Sequence, residues 1–117
     1  MQNAEVERRE RAIVAECRRR GIPFRVTSRY RSETKQRELY DAWIAGGRKG
    51  LPVGRPGLST HQYGIAFDAV FPDKDRATVV KIAQDYGMVW FGEKDKVHFD
   101  IFGPNAWNAL LRSVGAI

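Results

Sequence analysis

The chain has 117 residues, of which 43% are hydrophobic and 29% charged, and its formal net charge is +6. This length predicts a single domain over residues 1–117, with enough apolar side chains for one core. No apolar run reaches the roughly 18 residues of a membrane span, and from the charged N-terminal segment we expect no secretory signal peptide. The single Cys17 excludes an internal disulfide and a multi-cysteine zinc site.

The first half of the chain predicts a helix, a strand and a second helix. Apolar residues spaced on one helical face predict a helix over 4–20, which Gly21 ends. Alternation of apolar and polar residues predicts a strand over 24–30. Ser32 is the expected N-cap of the second helix, 33–45. The predicted inner face of that helix consists of Gln36, Leu39, Tyr40 and Trp43.

The middle of the chain begins with a loop. Four glycines and two prolines make 47–58 a loop, and the next predicted strand is 65–71. A third helix is expected to begin at Asp73 or Asp75. Its predicted inner face is formed by Val79, Ile82, Ala83 and Tyr86.

Two short strands and a helix complete the prediction. The strands are 88–91 and 97–102, joined by a turn over 92–96, and Pro104 begins the last helix. The predicted inner face of this helix comprises Trp107, Leu110, Leu111 and Val114. The expected fold is therefore α+β, with a small, mainly antiparallel sheet flanked by about four helices.

The chain has only two histidines, and each lies in a phrase that also contains carboxylates. Two paired strands could place Asp68 beside His98, with His61 completing a triangle. Three ligands, an open position for water and a general base are the minimum for a hydrolytic zinc site. We therefore predict that His61, Asp68 and His98 bind one zinc ion. A hydrogen-bonded structural His–Asp pair is the competing interpretation of the spacing.

The second phrase also supplies the candidate general base. Asp95 precedes His98 by three residues across a turn, so it could accept a proton from water without binding the metal. Glu93, on the same turn, is the competing candidate. Asp100 would face the same way as His98 on a strand, either as a hydrogen-bonding partner of that histidine or as an alternative ligand.

Three separated motifs resemble the D-alanyl-D-alanine carboxypeptidase and L-alanyl-D-glutamate endopeptidase family of zinc peptidases. The sequence has STHQYGIAFD at 59–68, DKVHFD at 95–100 and TSRYRS at 27–32. They occur in the family's order and span most of the chain. The resemblance implies a fold shared with these peptidases and with hedgehog-type domains, the zinc ligands predicted above, and Asp95 as the catalytic base.

The resemblance also implies roles for residues around the zinc site. Arg31 matches the family arginine that binds substrate, and a fixed guanidinium could stabilise the developing oxyanion. The family often has glycine where this chain has Arg29, so Arg29 is a second candidate, since both would share a face of an extended strand. Ser59 could orient a ligand or the substrate, and Trp90 could line the cleft or belong to the core.

The function implied by the resemblance is hydrolysis of the peptidoglycan stem peptide. Within that class we expect an L-alanyl-D-glutamate endopeptidase acting as a bacteriophage endolysin. Such a protein would stay in the cytoplasm until it is released to the cell wall, or would be carried on a virion. A D-alanyl-D-alanine carboxypeptidase or dipeptidase is the first alternative, and a non-catalytic zinc-containing binding module is the second.

The positive net charge indicates which classes of partner the protein would attract. A net charge of +6 favours polyanions such as the acidic polymers of the cell wall. Arg18–Arg20 is the only tight basic run, and it lacks the aromatic residues of a nucleic-acid module. We expect no specific nucleic-acid partner, no membrane insertion and a monomer.

Overall fold

A computed structural model describes all residues, 1–117, as four α-helices and one four-stranded sheet. The helices are α1 (Ala4–Arg19), α2 (Glu33–Ala45), α3 (Arg76–Asp85) and α4 (Pro104–Ser113). The strands are β1 (Arg25–Ser28), β2 (Ala66–Val70), β3 (Val89–Trp90) and β4 (His98–Asp100). Short 3-10 turns occur at Thr60–Tyr63, Asp73–Asp75 and Glu93–Asp95. The predicted α+β class is confirmed.

Side-chain caps explain where the first two helices begin. The Asn3 carboxamide oxygen accepts the Val6 N–H at 3.0 Å, and the predicted cap Ser32 accepts the Lys35 N–H at 3.1 Å. Each cap satisfies a backbone donor that has no partner within its helix.

None of the four helices is both long enough and apolar enough to span a membrane.

The sheet is antiparallel throughout, in the order β1-β2-β4-β3, and its two faces have different roles. Phe67 of β2 stacks on Phe99 of β4, with ring centroids 5.3 Å apart, on the face covered by α1 and α3. Since side chains alternate along a strand, Asp68 and His98 point to the opposite face. The core therefore holds one face of the sheet rigid while the other face carries polar side chains.

Strand register brings two predicted ligands together. Asp68 of β2 is paired with His98 of β4 across the sheet, and with Ser28 of β1 on its other side. The β1 register shifts between Val26 and Ser28, which is a bulge that turns the following residues out of the sheet.

Helices α2 and α4 pack less completely than their periodicity predicts. In α2 only Gln36 is buried, and its amide donates to the Gly54 carbonyl at 2.7 Å, in the loop that follows the helix. In α4 only Leu111 is buried, so the predicted inward positions of Leu110 and Val114 are wrong, since these residues are 43% and 69% exposed. Both helices border the polar face of the sheet and lie outside the core, so only one narrow side of each is covered.

Gly64 is the point where the N-terminus meets the turn that carries His61. The Asn3 N–H donates to the Gly64 carbonyl at 2.9 Å, and the Gln2 side chain donates to the Ala66 carbonyl at 3.0 Å. Gly64 has a φ of +71°, and a Cβ at this position would overlap the Met1 carbonyl oxygen. Glycine is thus required here both for the backbone conformation and for the close approach of residues 1–3.

We predict that Gly64→Ala destabilises the protein much more than Gly21→Ala. Gly21 has nearly the same φ, +72°, but no atom lies within 4 Å of the place that an alanine Cβ would occupy, so alanine there should cost about 1 kcal/mol. Gly64→Ala should cost about 1–3 kcal/mol more, because the added methyl group also displaces the N-terminal segment. Urea unfolding of the two variants measures the difference, and equal losses would contradict the close approach.

Candidate metal centre

Three elements bring the predicted ligands together. Asp68 lies on β2, His98 lies on β4, and His61 lies in the 3-10 turn Thr60–Tyr63. One nitrogen of each histidine and one Asp68 oxygen all lie within 4.8 Å of one another. Both histidines are buried, whereas Asp68 is half-buried. The structure thus assembles the residues that the sequence proposed as ligands.

A backbone carbonyl sets the orientation of the His61 ring. Its Nδ1 lies 2.8 Å from the Arg29 carbonyl oxygen, which can only accept a hydrogen bond, so Nδ1 carries the proton. Its Nε2 faces Asp68 Oδ1 at 3.0 Å. In the neutral ring the Nε2 lone pair is therefore directed into the centre, where a metal would use it.

The His98 ring is held by Asp100. Its Nε2 lies 3.0 Å from Asp100 Oδ2, so Nε2 donates, while Nδ1 faces Asp68 Oδ1 at 3.3 Å. The fully buried Asp100 carboxylate also accepts the Thr60 hydroxyl and the N–H groups of Phe102 and Gly103. Asp100 therefore contacts His98 on the side away from Asp68, and it is not among the three residues whose donor atoms converge.

This donor set fits zinc. Imidazole nitrogens and a carboxylate oxygen are the ligands that zinc takes in catalytic sites, with three from the protein and one position left open. Each histidine has its other ring nitrogen committed to an acceptor, as ligand histidines do. The Asp68 oxygen between the two imidazoles supplies the negative charge that a cation requires.

The charges of the zinc-free centre follow from this arrangement. Burial opposes a charge on His98, but hydrogen bonds to Asp100 and Asp68 outweigh it and raise its pKa to about 9. Burial likewise raises the pKa of Asp68, yet hydrogen bonds with His61 and His98 bring it well below its usual range. In the zinc-free protein, the proton on His98 thus supplies positive charge that a metal ion would otherwise supply. Zinc must displace this proton when it binds.

Arg31 completes the surroundings of Asp68. Its Nη2 donates to Asp68 Oδ2 at 2.9 Å, on the oxygen that does not face the histidines, and its other nitrogens reach Ser28 and Gln36. The Arg29 side chain points elsewhere and binds Glu10 of α1. The prediction that the two arginines share a face is wrong, because the chain leaves the sheet after the β1 bulge.

The centre opens onto a cleft of about 510 Å³. Asp95 lines this cleft together with Arg31 and the three candidate ligands, and burial raises its pKa above the ordinary value. Glu93 does not line the cleft; it is exposed and paired with Arg76. Of the two carboxylates proposed as general base, only Asp95 therefore faces the centre. The apolar wall is formed by α2, α4 and the loop, with Leu39, Leu51, Val53, Leu58, Trp107 and Leu111.

The two weaker predictions have different outcomes. Ser59 lines the cleft, where its hydroxyl accepts the His61 N–H at 3.3 Å and caps the turn. Trp90 does not line the cleft: its indole N–H donates to the Lys96 carbonyl, and its ring lies under the Arg76 guanidinium. Trp90 packs against the core, as the second alternative predicted, and its indole also supports the 92–96 turn. The aromatic residue in the cleft from this segment is Phe91.

Sequence reasoning missed two groups that hold the histidines. Thr60 donates to Asp100 Oδ2 at 2.9 Å, and only its position beside His61 could have suggested this. The role of the Arg29 carbonyl could not be recognised from the sequence, because every residue has a backbone carbonyl.

Comparison with protein families gives a match over most of this chain. Residues 1–101 match the family model VanY, D-alanyl-D-alanine carboxypeptidase. A search of curated protein sequences found no match.

Several solved structures share the fold. DacB from Streptococcus pneumoniae D39 superposes with a TM-score of 0.73 at 22% identity, covering 97% of this chain and 77% of DacB. A VanY D,D-pentapeptidase mutant from a VanB-type resistance cassette, solved with Zn(II), gives 0.73 at 19% identity, covering 95% and 78%. The L-Ala D-Glu endopeptidase ChiX from Serratia marcescens gives 0.60 at 21% identity, covering 85% and 79%.

The raised pKa of His98 predicts how the stability of the zinc-free protein depends on pH. Because the pKa of about 9 lies above the ordinary 6.5, protonated His98 stabilises the fold fully below pH 6.5, and this contribution is lost as pH rises through 9. The free energy of unfolding should fall by about 2–3 kcal/mol across this range. Urea unfolding in the presence of a chelator measures it.

His98→Gln is the control, since it retains every other titrating group of the chain. Its stability should change much less between pH 6.5 and 9 than that of the unmodified protein. Parallel pH profiles for the two proteins would contradict the assignment of the extra proton to His98.

Proposed function

Since this chain belongs to the VanY family of D-alanyl-D-alanine carboxypeptidases, as its motifs predicted, we propose that it is a zinc-dependent hydrolase of the peptidoglycan stem peptide. One observation carries the proposal. The donor atoms of His61, Asp68 and His98 converge within 4.8 Å at the base of a cleft that also contains Asp95 and Arg31. Those five residues supply a metal site, a proton acceptor and a fixed cation in one cavity.

His61, Asp68 and His98 would hold the zinc ion through Nε2, Oδ1 and Nδ1. When bound, zinc supplies Lewis acidity, which polarises a peptide carbonyl and makes water a stronger acid. The histidines themselves contribute orientation, because Arg29 and Asp100 fix which ring nitrogen faces the centre.

Asp95 is the proposed proton carrier of the reaction. It accepts a proton from the attacking water and delivers it to the leaving amine. In the zinc-free protein, burial in the cleft raises its pKa, so there it holds a proton more tightly than an exposed aspartate does. A carboxylate with stronger proton affinity is better matched to transfer near neutral pH.

Arg31 is the proposed anchor for the negative charge of the substrate. Its guanidinium is held by hydrogen bonds to Asp68, Ser28 and Gln36, so it needs no rearrangement when charge develops beside it. Its side chain is 18% exposed, at the edge of the cleft. A substrate carbonyl oxygen or carboxylate that enters the cleft would meet this fixed cation.

Two bonds of the stem peptide are candidates for the one that this protein cleaves. The family match favours the terminal D-alanyl-D-alanine bond, which a carboxypeptidase hydrolyses. Similarity in fold to the ChiX endopeptidase keeps the L-alanyl-D-glutamate bond as the other candidate. The predicted role as a bacteriophage endolysin would follow from the second activity and stays a prediction.

We predict that Asp95→Asn lowers turnover of peptidoglycan by about 10²–10⁴-fold and leaves zinc affinity nearly unchanged. The amide is nearly the same size as the carboxylate but cannot accept the proton. Glu93→Gln is the matched control on the same turn, and it should retain near-normal turnover because Glu93 faces Arg76 and not the cleft. Turnover of Asp95→Asn close to that of the control would contradict the role of Asp95.

Mass spectrometry of digested peptidoglycan, with zinc and in parallel with a chelator, tests the function itself. We expect new peptide ends only in the zinc-containing digest. Released D-alanine would identify the carboxypeptidase, and a new D-glutamate amine would identify the endopeptidase. A protein that binds zinc but generates no new ends would instead be the non-catalytic binding module.

A further inference from the structure

The buried Glu10 of α1 lies outside the cleft, yet it is connected to the metal centre through one residue. Glu10 is 5% exposed, and its carboxylate accepts two hydrogen bonds from the Arg29 guanidinium, both 2.8 Å long. The carbonyl of the same Arg29 accepts the His61 Nδ1–H at 2.8 Å. The chain of contacts therefore runs from Glu10 through Arg29 to the ring of a candidate ligand.

The segment that carries Arg29 is held on two sides, by the Arg31 side chain at the centre and by Glu10 at α1. β1 ends at Ser28 after its bulge, so residues 29–31 form no ladder hydrogen bonds with β2. On the side of the centre, the Arg31 N–H donates to the His61 carbonyl at 3.0 Å. On the opposite side, the Glu10–Arg29 ion pair ties the segment to α1, which is packed in the core.

The geometry of the ion pair makes it a strong anchor. A guanidinium that donates two parallel hydrogen bonds to one carboxylate fixes direction as well as distance. Glu10 has almost no contact with water, so releasing Arg29 would leave a buried charge without a partner. The Arg29 backbone is thus held where its carbonyl meets His61.

We propose that Glu10 and Arg29 are positioning residues for zinc binding, which fix the His61 ring so that Nε2 faces the centre. The inference rests on the proposed function only in taking the centre as a zinc site. Neither side chain touches the ligands; the effect passes through the main-chain carbonyl of Arg29.

The same helix supplies a matched control. Glu16 is also buried, at 7% exposed, and also binds arginines, namely Arg19 and Arg20. These arginines lie at the end of α1 and form no hydrogen bond or ion pair with the histidines or with residues 29–31. Glu10→Gln and Glu16→Gln therefore remove similar ion pairs, of which only one is connected to the centre.

Zinc affinity is measured by competition with a chromophoric chelator at fixed pH. We expect Glu10→Gln to weaken zinc binding by about tenfold, the lower end of the effect of losing a group that orients a metal ligand. Glu16→Gln should bind zinc like the unmodified protein, although urea unfolding should show a comparable loss of stability. Equal zinc affinities for the two variants would overturn the proposal.

A second readout reports on His61 directly. Hydrogen exchange of the His61 Nδ1–H is followed by NMR in the zinc-bound protein. Exchange should be faster in Glu10→Gln than in Glu16→Gln, because the hydrogen bond from Nδ1 to the Arg29 carbonyl is less well held in Glu10→Gln. If Glu10→Gln does not fold, Arg29→Lys replaces it, since its side chain is 52% exposed and lysine keeps the charge while losing the paired hydrogen bonds. Arg29→Lys with unchanged zinc affinity and exchange would equally overturn the proposal.

These measurements need no catalytic turnover, so they are separate from the test of the proposed function. A protein that cleaves no peptidoglycan but shows the Glu10 effect would contradict the peptidase alone. A double variant Glu10→Gln/Arg29→Lys should lose no more zinc affinity than the weaker-binding single variant, because both changes break one connection. Additive losses would contradict a shared path.

Discussion

The Asp68 carboxylate is the group on which the centre depends. One oxygen faces both imidazoles, at 3.0 and 3.3 Å, and the other accepts the Arg31 guanidinium at 2.9 Å. A carboxylate in so little contact with water is costly unless cations compensate it. In the zinc-free protein, Arg31 and a proton on His98 provide that compensation. The surroundings of Asp68 are therefore suited to a cation, and two imidazoles with one carboxylate are a ligand set that fits zinc.

Around Asp68 the structure is arranged in successive layers. The sheet pairs β2 with β4 and so places Asp68 opposite His98, while Phe67 and Phe99 anchor the same two strands in the core. Outside the three candidate ligands, Asp100 and the Arg29 carbonyl fix the histidine rings. Further out, Gly64 admits the N-terminal residues beside the turn, and Glu10 ties the Arg29 segment to α1. The precision of the centre thus derives from elements far apart in the chain.

Local patterns predicted much of this fold, and they failed where tertiary contacts decide. Periodicity and capping residues located the helices, as Ser32 shows, and the histidine phrases contained the residues that converge. The spacing of apolar residues in α4 predicted that Leu110 and Val114 face inward, but both lie outside the core. An amphipathic pattern indicates which side of a helix is apolar, and it does not indicate how much of that side other elements cover. Two arginines on an extended segment are equivalent by spacing alone, but a bulge in β1 turns Arg29 to Glu10 and Arg31 to Asp68.

Crystals of the zinc-loaded protein, measured by anomalous diffraction at the zinc absorption edge, test the central claim most directly. We predict one strong peak about 2.0–2.2 Å from His61 Nε2, His98 Nδ1 and an Asp68 oxygen, with the Asp100 carboxylate still on His98 Nε2. A peak bound to His98 Nε2 or to Asp100, or no peak between the two histidines, would contradict it.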